Sequence, residues 1–225
     1  MVARTRLKVC CIQSAEEVAI AVRHGADAVG LVAAMPSGPG PIADAAIAEI
    51  AATVPPPVVA VLLTAETDAA AIADHVVRSL TTVVQVVSHV EPATLARLRR
   101  MLPSTRILQV VHVEDVEAID LARAYAPHAH ALLLDSGRPS AAVAELGGTG
   151  RTHDWTLSRR IVEAVDRPVF LAGGIRPENV AEAIAAVRPF GIDLCSGVRQ
   201  GIRLDPVRLA ALTAAMAAAD HGRLG

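Results

Sequence analysis

Ala131-Leu132-Leu133-Leu134 ends on Asp135, Pro168-Val169-Phe170-Leu171-Ala172 ends on Gly173-Gly174, and Gly191-Ile192-Asp193-Leu194 ends on Cys195-Ser196-Gly197. A further cluster, Gly147-Gly148-Thr149-Gly150, lies between the first two. Short continuous apolar runs suit strands buried on both faces, as in parallel sheets covered by helices. Glycines at their carboxyl ends let backbone N–H groups come close to a small anion. One such turn says only that the chain turns tightly. Three in consecutive units point to a phosphate pocket at one rim of a barrel, with Asp135 beside it.

Working outward from this stretch, strand-like and helix-like segments alternate along the chain. Strands are expected over 7–12, 28–32, 58–63, 82–87 and 106–113, ahead of the three just quoted. Helices are expected over about 43–53, 67–78, 92–101 and 116–125, with a first helix opened by Ser14 and closed by Gly25. Ser14 followed by Glu17 three residues on reads as a capping box. Asp154 caps a helix through 165, Pro177 opens the next, and an alanine-rich helix runs over about 206–219. Eight β-α pairs at short spacing predict a single (β/α)8 TIM barrel over residues 1–225 rather than an open doubly wound sheet. No linker, charge block or low-complexity segment marks a domain boundary.

Composition agrees. At 225 residues the chain can bury a sizeable core, and its 52% hydrophobic share is aliphatic, with 2% aromatic residues. A formal net charge of −2 leaves no basic footprint for nucleic acid and no polybasic membrane anchor. Residues 1–8 are basic, but no apolar stretch follows as in a signal peptide. No stretch approaches the ~18 consecutive apolar residues of a spanning helix. Cys10, Cys11 and Cys195 make no disulfide framework, so a reducing cytoplasm is expected. The histidines show no ligand spacing, and no metal site is expected.

In such barrels the active site lies at the carboxyl ends of the strands, with phosphate held after strands seven and eight. Gly173, Gly174, Ser196 and Gly197 fall there, and Gly148, Thr149 and Gly150 belong to the loop after strand six. Asp135 ends strand six, where a carboxylate points into the mouth. Asp also caps helices, but Gly137 and Pro139 keep one from starting nearby. Asp193, inside strand eight, is placed to pair with a cation within the barrel or to orient a loop. Cys10 and Cys11 end strand one, where alternation sends only one toward the mouth. A buried Cys is ordinarily a small hydrophobe. It serves as a base where a cation or helix terminus pulls its thiol below the reference of roughly 8.5. The residues alone favour packing.

Lys8-Val9-Cys10-Cys11-Ile12 resembles the Lys-Ile-Cys-Gly-Ile opening of the phosphoribosylanthranilate isomerase family, and Gly25-Ala26-Asp27-Ala28-Val29-Gly30 resembles its approach to the second strand. Leu134-Asp135, Gly147-Gly148-Thr149-Gly150-Arg151-Thr152 with Asp154-Trp155, and Leu171-Ala172-Gly173-Gly174-Ile175 with Pro177-Glu178-Asn179-Val180 continue the signature in order. Asp193 with Ser196-Gly197-Val198 completes it. The resemblance covers nearly the whole chain. It implies a (β/α)8 barrel in tryptophan biosynthesis, working without cofactor or metal, as a cytoplasmic monomer or homodimer on a small phosphorylated sugar. The reaction it implies is an Amadori rearrangement of an N-linked phosphoribosyl aminoaldose to a 1-amino-1-deoxyketose phosphate. The resemblance makes Cys10 the general base and Asp135 the general acid. It gives the phosphate to the glycine and hydroxyl positions already named, and sets Cys11, Gln85 and Asp193 against the substrate.

Three positions depart from the pattern. Cys11 replaces the glycine after the base, Gly38-Pro39-Gly40 replaces Ser-Pro-Arg, and Gln85-Val86-Val87-Ser88 replaces Gln-Leu-His-Gly. The family's arginine in the second motif helps hold the anthranilate. A lost charge-assisted partner for a carboxylate typically costs about 2–4 kcal/mol. A different aglycone is therefore open, as is an arginine substitute from Arg138, Arg151 or Arg199. Two other readings stand beside the isomerase: a paralogue acting on another phosphorylated aminosugar, and a phosphate-ligand binding protein without catalysis. Retention of both the acid and the base argues against the second.

Overall fold

Eight parallel strands close on themselves in the computed structural model, which describes residues 4–36, 38–137 and 152–222. They are β1 (Arg6–Val9), β2 (Ala28–Val32), β3 (Val59–Thr64), β4 (Val83–Val86), β5 (Arg106–His112), β6 (Ala131–Asp135), β7 (Val169–Leu171) and β8 (Gly191–Leu194). Each pairs with its sequence neighbours, and β1 pairs with both β2 and β8, which closes the barrel. The helices between them are α1 (Ala15–Arg23), α2 (Asp44–Ala51), α3 (Ala69–Ser79), α4 (Pro92–Met101), α5 (Glu117–Tyr125), α6 (Trp155–Ala164) and α7 (Val180–Val187). After β8 come a 3-10 turn, Ser196–Val198, a small antiparallel pair, β9 (Arg199–Gln200) and β10 (Arg203–Leu204), and α8 (Pro206–Gly222).

Strand parity decides which side chains reach the mouth. Successive residues face opposite sides of a sheet. Leu132 and Leu134 of β6 join the large core between sheet and helices, while Leu133 joins the smaller core inside the barrel. The parity that turns Leu133 inward places Asp135 at the rim. In β8, Ile192 and Leu194 face the helices, which leaves Asp193 inside. In β1, Leu7 and Val9 face the helices and Lys8 faces inward.

The sequence reading is corrected at four places. β1 stops at Val9, so Cys10 and Cys11 lie beyond the pleat. Cys11 has φ +63°, the left-handed region, and both cysteines turn into the interior cluster instead of dividing between two faces. α7 starts at Val180, past Pro177; Asn179 occupies the cap position, but its side chain accepts from the Arg176 N–H and donates to the Gly174 carbonyl. The capping box at α1 is half made. Ser14 Oγ accepts from the Glu17 N–H, but Glu17 reaches back to the Gln13 N–H instead of the cap residue's own. Finally, a disulfide joins Cys11 to Cys195, with Cα atoms 5.9 Å apart, against the expectation of none. These residues are 184 positions apart, but β1 and β8 are neighbours, so their exits adjoin.

Candidate active site

A cleft opens at the carboxyl ends of the strands and encloses about 740 Å³ including its mouth. Cys10 and Asp135 both line it, as do Cys11, Gln85 and Asp193. Gly173, Gly174 and Ser196 line the same cleft, while Gly197 lies in an adjoining depression shared with Gly174 and Ser196. Gly148, Thr149 and Gly150 lie outside the described residues, as do Arg138 and Arg151.

Asp135 ends β6 and Cys10 follows β1, three strands away around the barrel, and both feel one buried pair of charges, Lys8 and Asp193. Lys8 Nζ, 1% exposed, donates to Asp193 Oδ1 at 2.8 Å. Burial alone would lower the Lys8 pKa, but the neighbouring Asp193 carboxylate and Cys10 outweigh it and hold Lys8 above its usual range, charged. Burial pushes the Cys10 thiol up to about 11; Lys8 opposes that rise and Asp193 adds to it. The condition of a depressed thiol is therefore not met by these protein groups. Burial raises Asp135 to about 6, against the Ser136 N–H that its Oδ1 accepts at 2.8 Å. Enclosure moves the carboxyl toward neutrality, as expected for an acid that must carry a proton.

Lys8 is the buried charge beside Cys10 that the sequence reading passed over. It is the sole lysine of a chain whose other basic residues are all arginines. A compact ammonium on a flexible stem can stand inside the barrel where a planar guanidinium has more to satisfy. That composition signal was there to be read.

The glycines after β7 and β8 are required by geometry. Gly173 and Gly174 have φ +79° and +65°. A Cβ on Gly197 would lie 2.0 Å from the Ile175 carbonyl oxygen, and one on Gly173 would lie 2.6 Å from Ser136 Oγ. Because β7 and β8 pair, the two turns sit side by side, with Ser196 opening the 3-10 turn between them and β9. This is the layout of an anion site made from two neighbouring loops.

The wall opposite is apolar. Val32, Met35, Pro39, Leu63 and Val87 line it, and among the described residues no lysine, arginine or histidine lines the cleft. Gly40 has φ +93°, and a Cβ there would meet Cys11 Cβ at 2.7 Å. Cys11 Sγ also faces the Pro39 carbonyl at 3.5 Å. The two departures at 11 and 40 thus pack against each other: a side chain was gained at one and is excluded at the other. Gln85 is buried and lines the cleft, and among the described residues its Oε1 has no hydrogen-bond partner, which leaves an acceptor for a ligand donor. Arg199 does not replace the missing arginine; it is buried and bound to Glu17 and to the Cys10 and Cys11 carbonyls. Among the described residues no group of three His, Cys, Asp or Glu side chains is placed to hold a metal, and no helix is long and apolar enough to cross a membrane.

Comparisons with known proteins agree along the whole barrel. A model of the N-(5'-phosphoribosyl)anthranilate (PRA) isomerase family matches residues 7–207. The N-(5'-phosphoribosyl)anthranilate isomerase of Methanocella arvoryzae is 36% identical over 205 residues, covering 91% of this chain and 94% of the relative. The crystal structure of the Thermus thermophilus phosphoribosyl anthranilate isomerase superposes with a TM-score of 0.80 at 29% identity, over 95% of this chain and 99% of that one. A phosphoribosyl anthranilate isomerase in complex with reduced 1-(o-carboxyphenylamino)-1-deoxyribulose 5-phosphate superposes with a TM-score of 0.76 at 27% identity, over 95% and 99%.

Proposed function

The chain belongs to the N-(5'-phosphoribosyl)anthranilate isomerase family, and on that premise we propose that Cys10 is the general base and Asp135 the general acid of its Amadori rearrangement. The observation that carries the assignment is the shared cleft: an enclosed carboxyl with a raised pKa and a thiol beside a buried ammonium, next to paired glycine turns. Asp135 protonates the furanose ring oxygen, and the ring opens to a Schiff base. Cys10, as thiolate, removes the C2′ proton. The resulting enolamine tautomerises to the ketone. One proton is given and one is taken, so no cofactor or metal is needed to balance the step.

Lys8 has a defined part in this scheme. Its ammonium opposes the rise of the Cys10 pKa, and Asp193 keeps that ammonium in place. The turns at Gly173-Gly174 and Ser196-Gly197, with Gly148, Thr149 and Gly150, hold the phosphate. Gln85 Oε1 accepts from a sugar hydroxyl. The enzyme acts in the cytoplasm, where a charged phosphosugar is confined with the enzymes that make it, and works as a monomer or homodimer.

The apolar wall of Val32, Met35, Leu63 and Val87 favours a second reading of the aglycone alone. With no cation on the described lining, an uncharged aryl amine would fit that wall at least as well as anthranilate. A fluorescence assay on freshly generated phosphoribosylanthranilate, run beside its aniline analogue, separates the readings. A higher kcat/KM on anthranilate favours a tryptophan-pathway enzyme whose carboxylate partner comes from outside the described residues. A higher value on the uncharged analogue favours a paralogue.

A further inference from the structure

We propose that the buried Arg199–Glu17 pair positions the base, by clamping the backbone turn that carries Cys10. Arg199 is 7% exposed and Glu17 8%. The guanidinium faces the carboxylate with both terminal nitrogens, Nη1 to Oε1 at 3.0 Å and Nη2 to Oε2 at 3.1 Å. Nη2 also donates to the carbonyls of Cys10 and Cys11, and Nη1 to that of Ile202. Glu17 accepts in addition from the Gln13 N–H at 3.0 Å and the Leu204 N–H at 2.8 Å. One charged fork therefore ties the exit of β1, the start of α1 and the β9–β10 pair together.

The turn it holds needs holding. Cys11 stands at φ +63°, a conformation that a side chain with a Cβ adopts at a cost and glycine adopts freely. Release of that turn would rotate the Cys10 carbonyl and carry Sγ away from its place beside Lys8. A fork is suited to this, because a guanidinium donates in fixed directions and a lysine ammonium does not. Arg199 also directly follows the 3-10 turn that contains Ser196 and Gly197, so the clamp fixes the base relative to the phosphate rim. Arg199 and Glu17 touch no reacting atom; both are positioning residues. This rests on the reading of Cys10 as the base.

The test uses the full chain carrying Arg199→Met, Arg199→Lys or Glu17→Gln, each checked for folding by circular dichroism. Arg199→Met should lower kcat on phosphoribosylanthranilate at least about tenfold with KM within about threefold, the pattern of a displaced catalytic group. The pH profile of iodoacetamide alkylation, read on the Cys10 peptide by mass spectrometry, should shift in the same variant. The loss should shrink at least about threefold in a Cys11→Gly/Cys195→Ser background relative to Cys195→Ser alone, because glycine needs no clamp at positive φ. Equal losses in the two backgrounds, or a change confined to KM, would overturn the proposal. Where Arg199→Met does not fold, Arg199→Lys decides: it keeps the charge and loses the fork, and a full kcat would overturn the clamp. Cys10→Ser is run alongside. A normal kcat there sinks the reading of Cys10 itself, whereas a normal kcat in folded Arg199 variants beside an inactive Cys10→Ser sinks only the clamp.

Discussion

Asp135→Asn should make the protein more stable at pH 8 while removing its activity. The carboxyl holds its proton up to about pH 6 in the fold, against 3.8 for the free group, because burial disfavours its charge. Between those values the folded chain binds a proton that the unfolded chain has lost. Asp135 thus costs the fold nothing below the unfolded value, and the cost grows as pH rises and is complete above the folded one. At about 1.36 kcal/mol per pKa unit, the ionised group costs roughly 3 kcal/mol at pH 8 and roughly 1 kcal/mol at pH 4.5. Asn is neutral throughout and keeps an oxygen for the Ser136 N–H that Asp135 accepts. Urea titrations of both proteins at the two pH values should show that difference as a change in midpoint. In thermal melts it amounts to about 6–12 °C at pH 8, at 2–4 °C per kcal/mol for a chain of this size. A gain that is the same at pH 8 and pH 4.5, or a loss at pH 8, would refute an acid raised by enclosure. A stabilising change that abolishes turnover marks a site held at the expense of the fold.

Other consequences are independent of that one. The rate law of a protonated acid and a deprotonated base, with Asp135 at about 6 and Cys10 at about 11, gives a kcat/KM that is level through the neutral range. It should fall below about pH 6, where the carboxyl is saturated and the thiolate keeps declining; a pH–rate profile checks this, and an optimum below pH 6 would contradict it. Gly197→Ala forces a Cβ against the Ile175 carbonyl and should weaken inorganic phosphate binding at least about tenfold by calorimetry, or cost about 1–3 kcal/mol of stability if the loop yields. His153, held down to about 4 mainly by burial, stays neutral in the fold. Its contribution is present above the ordinary histidine value near 6.5 and is lost as pH falls toward about 4, up to roughly 3 kcal/mol that His153→Gln should remove from the acid sensitivity. Thiol titration in denaturant should find one free cysteine before reduction, Cys10, and three after it.

The sequence carried the barrel and many of the residues that line its cleft. Short continuous apolar runs identified the strands, and its place at the end of one put Asp135 at the mouth, while Asp193 stood open between a cation inside the barrel and a loop. What parity could not carry was the end of β1. The pleat stops at Val9, and the carbonyl of the left-handed Cys11 that follows accepts from Arg199, whose partners come from three separated segments. Glu17 was readable as a cap residue because its motif is local; its ion pair with Arg199 spans 182 positions and leaves no spacing to read. The Cys11–Cys195 bridge was hidden for the same reason, since only barrel closure brings β1 beside β8. The match between Cys11 and Gly40 is also tertiary: each looks like a lapse from the family pattern until a Cβ built on one is seen to collide with the other. Lys8 is different. Its solitude among arginines was legible in the composition.

The most direct test of the account is single-turnover fluorescence of phosphoribosylanthranilate by the unaltered protein, Cys10→Ser and Asp135→Asn, with inorganic phosphate binding measured on each. Turnover by the unaltered chain, a loss of at least about 10²-fold in each variant and phosphate affinity kept throughout is the predicted result. Turnover that survives in either variant would contradict the assignment of acid and base in this cleft.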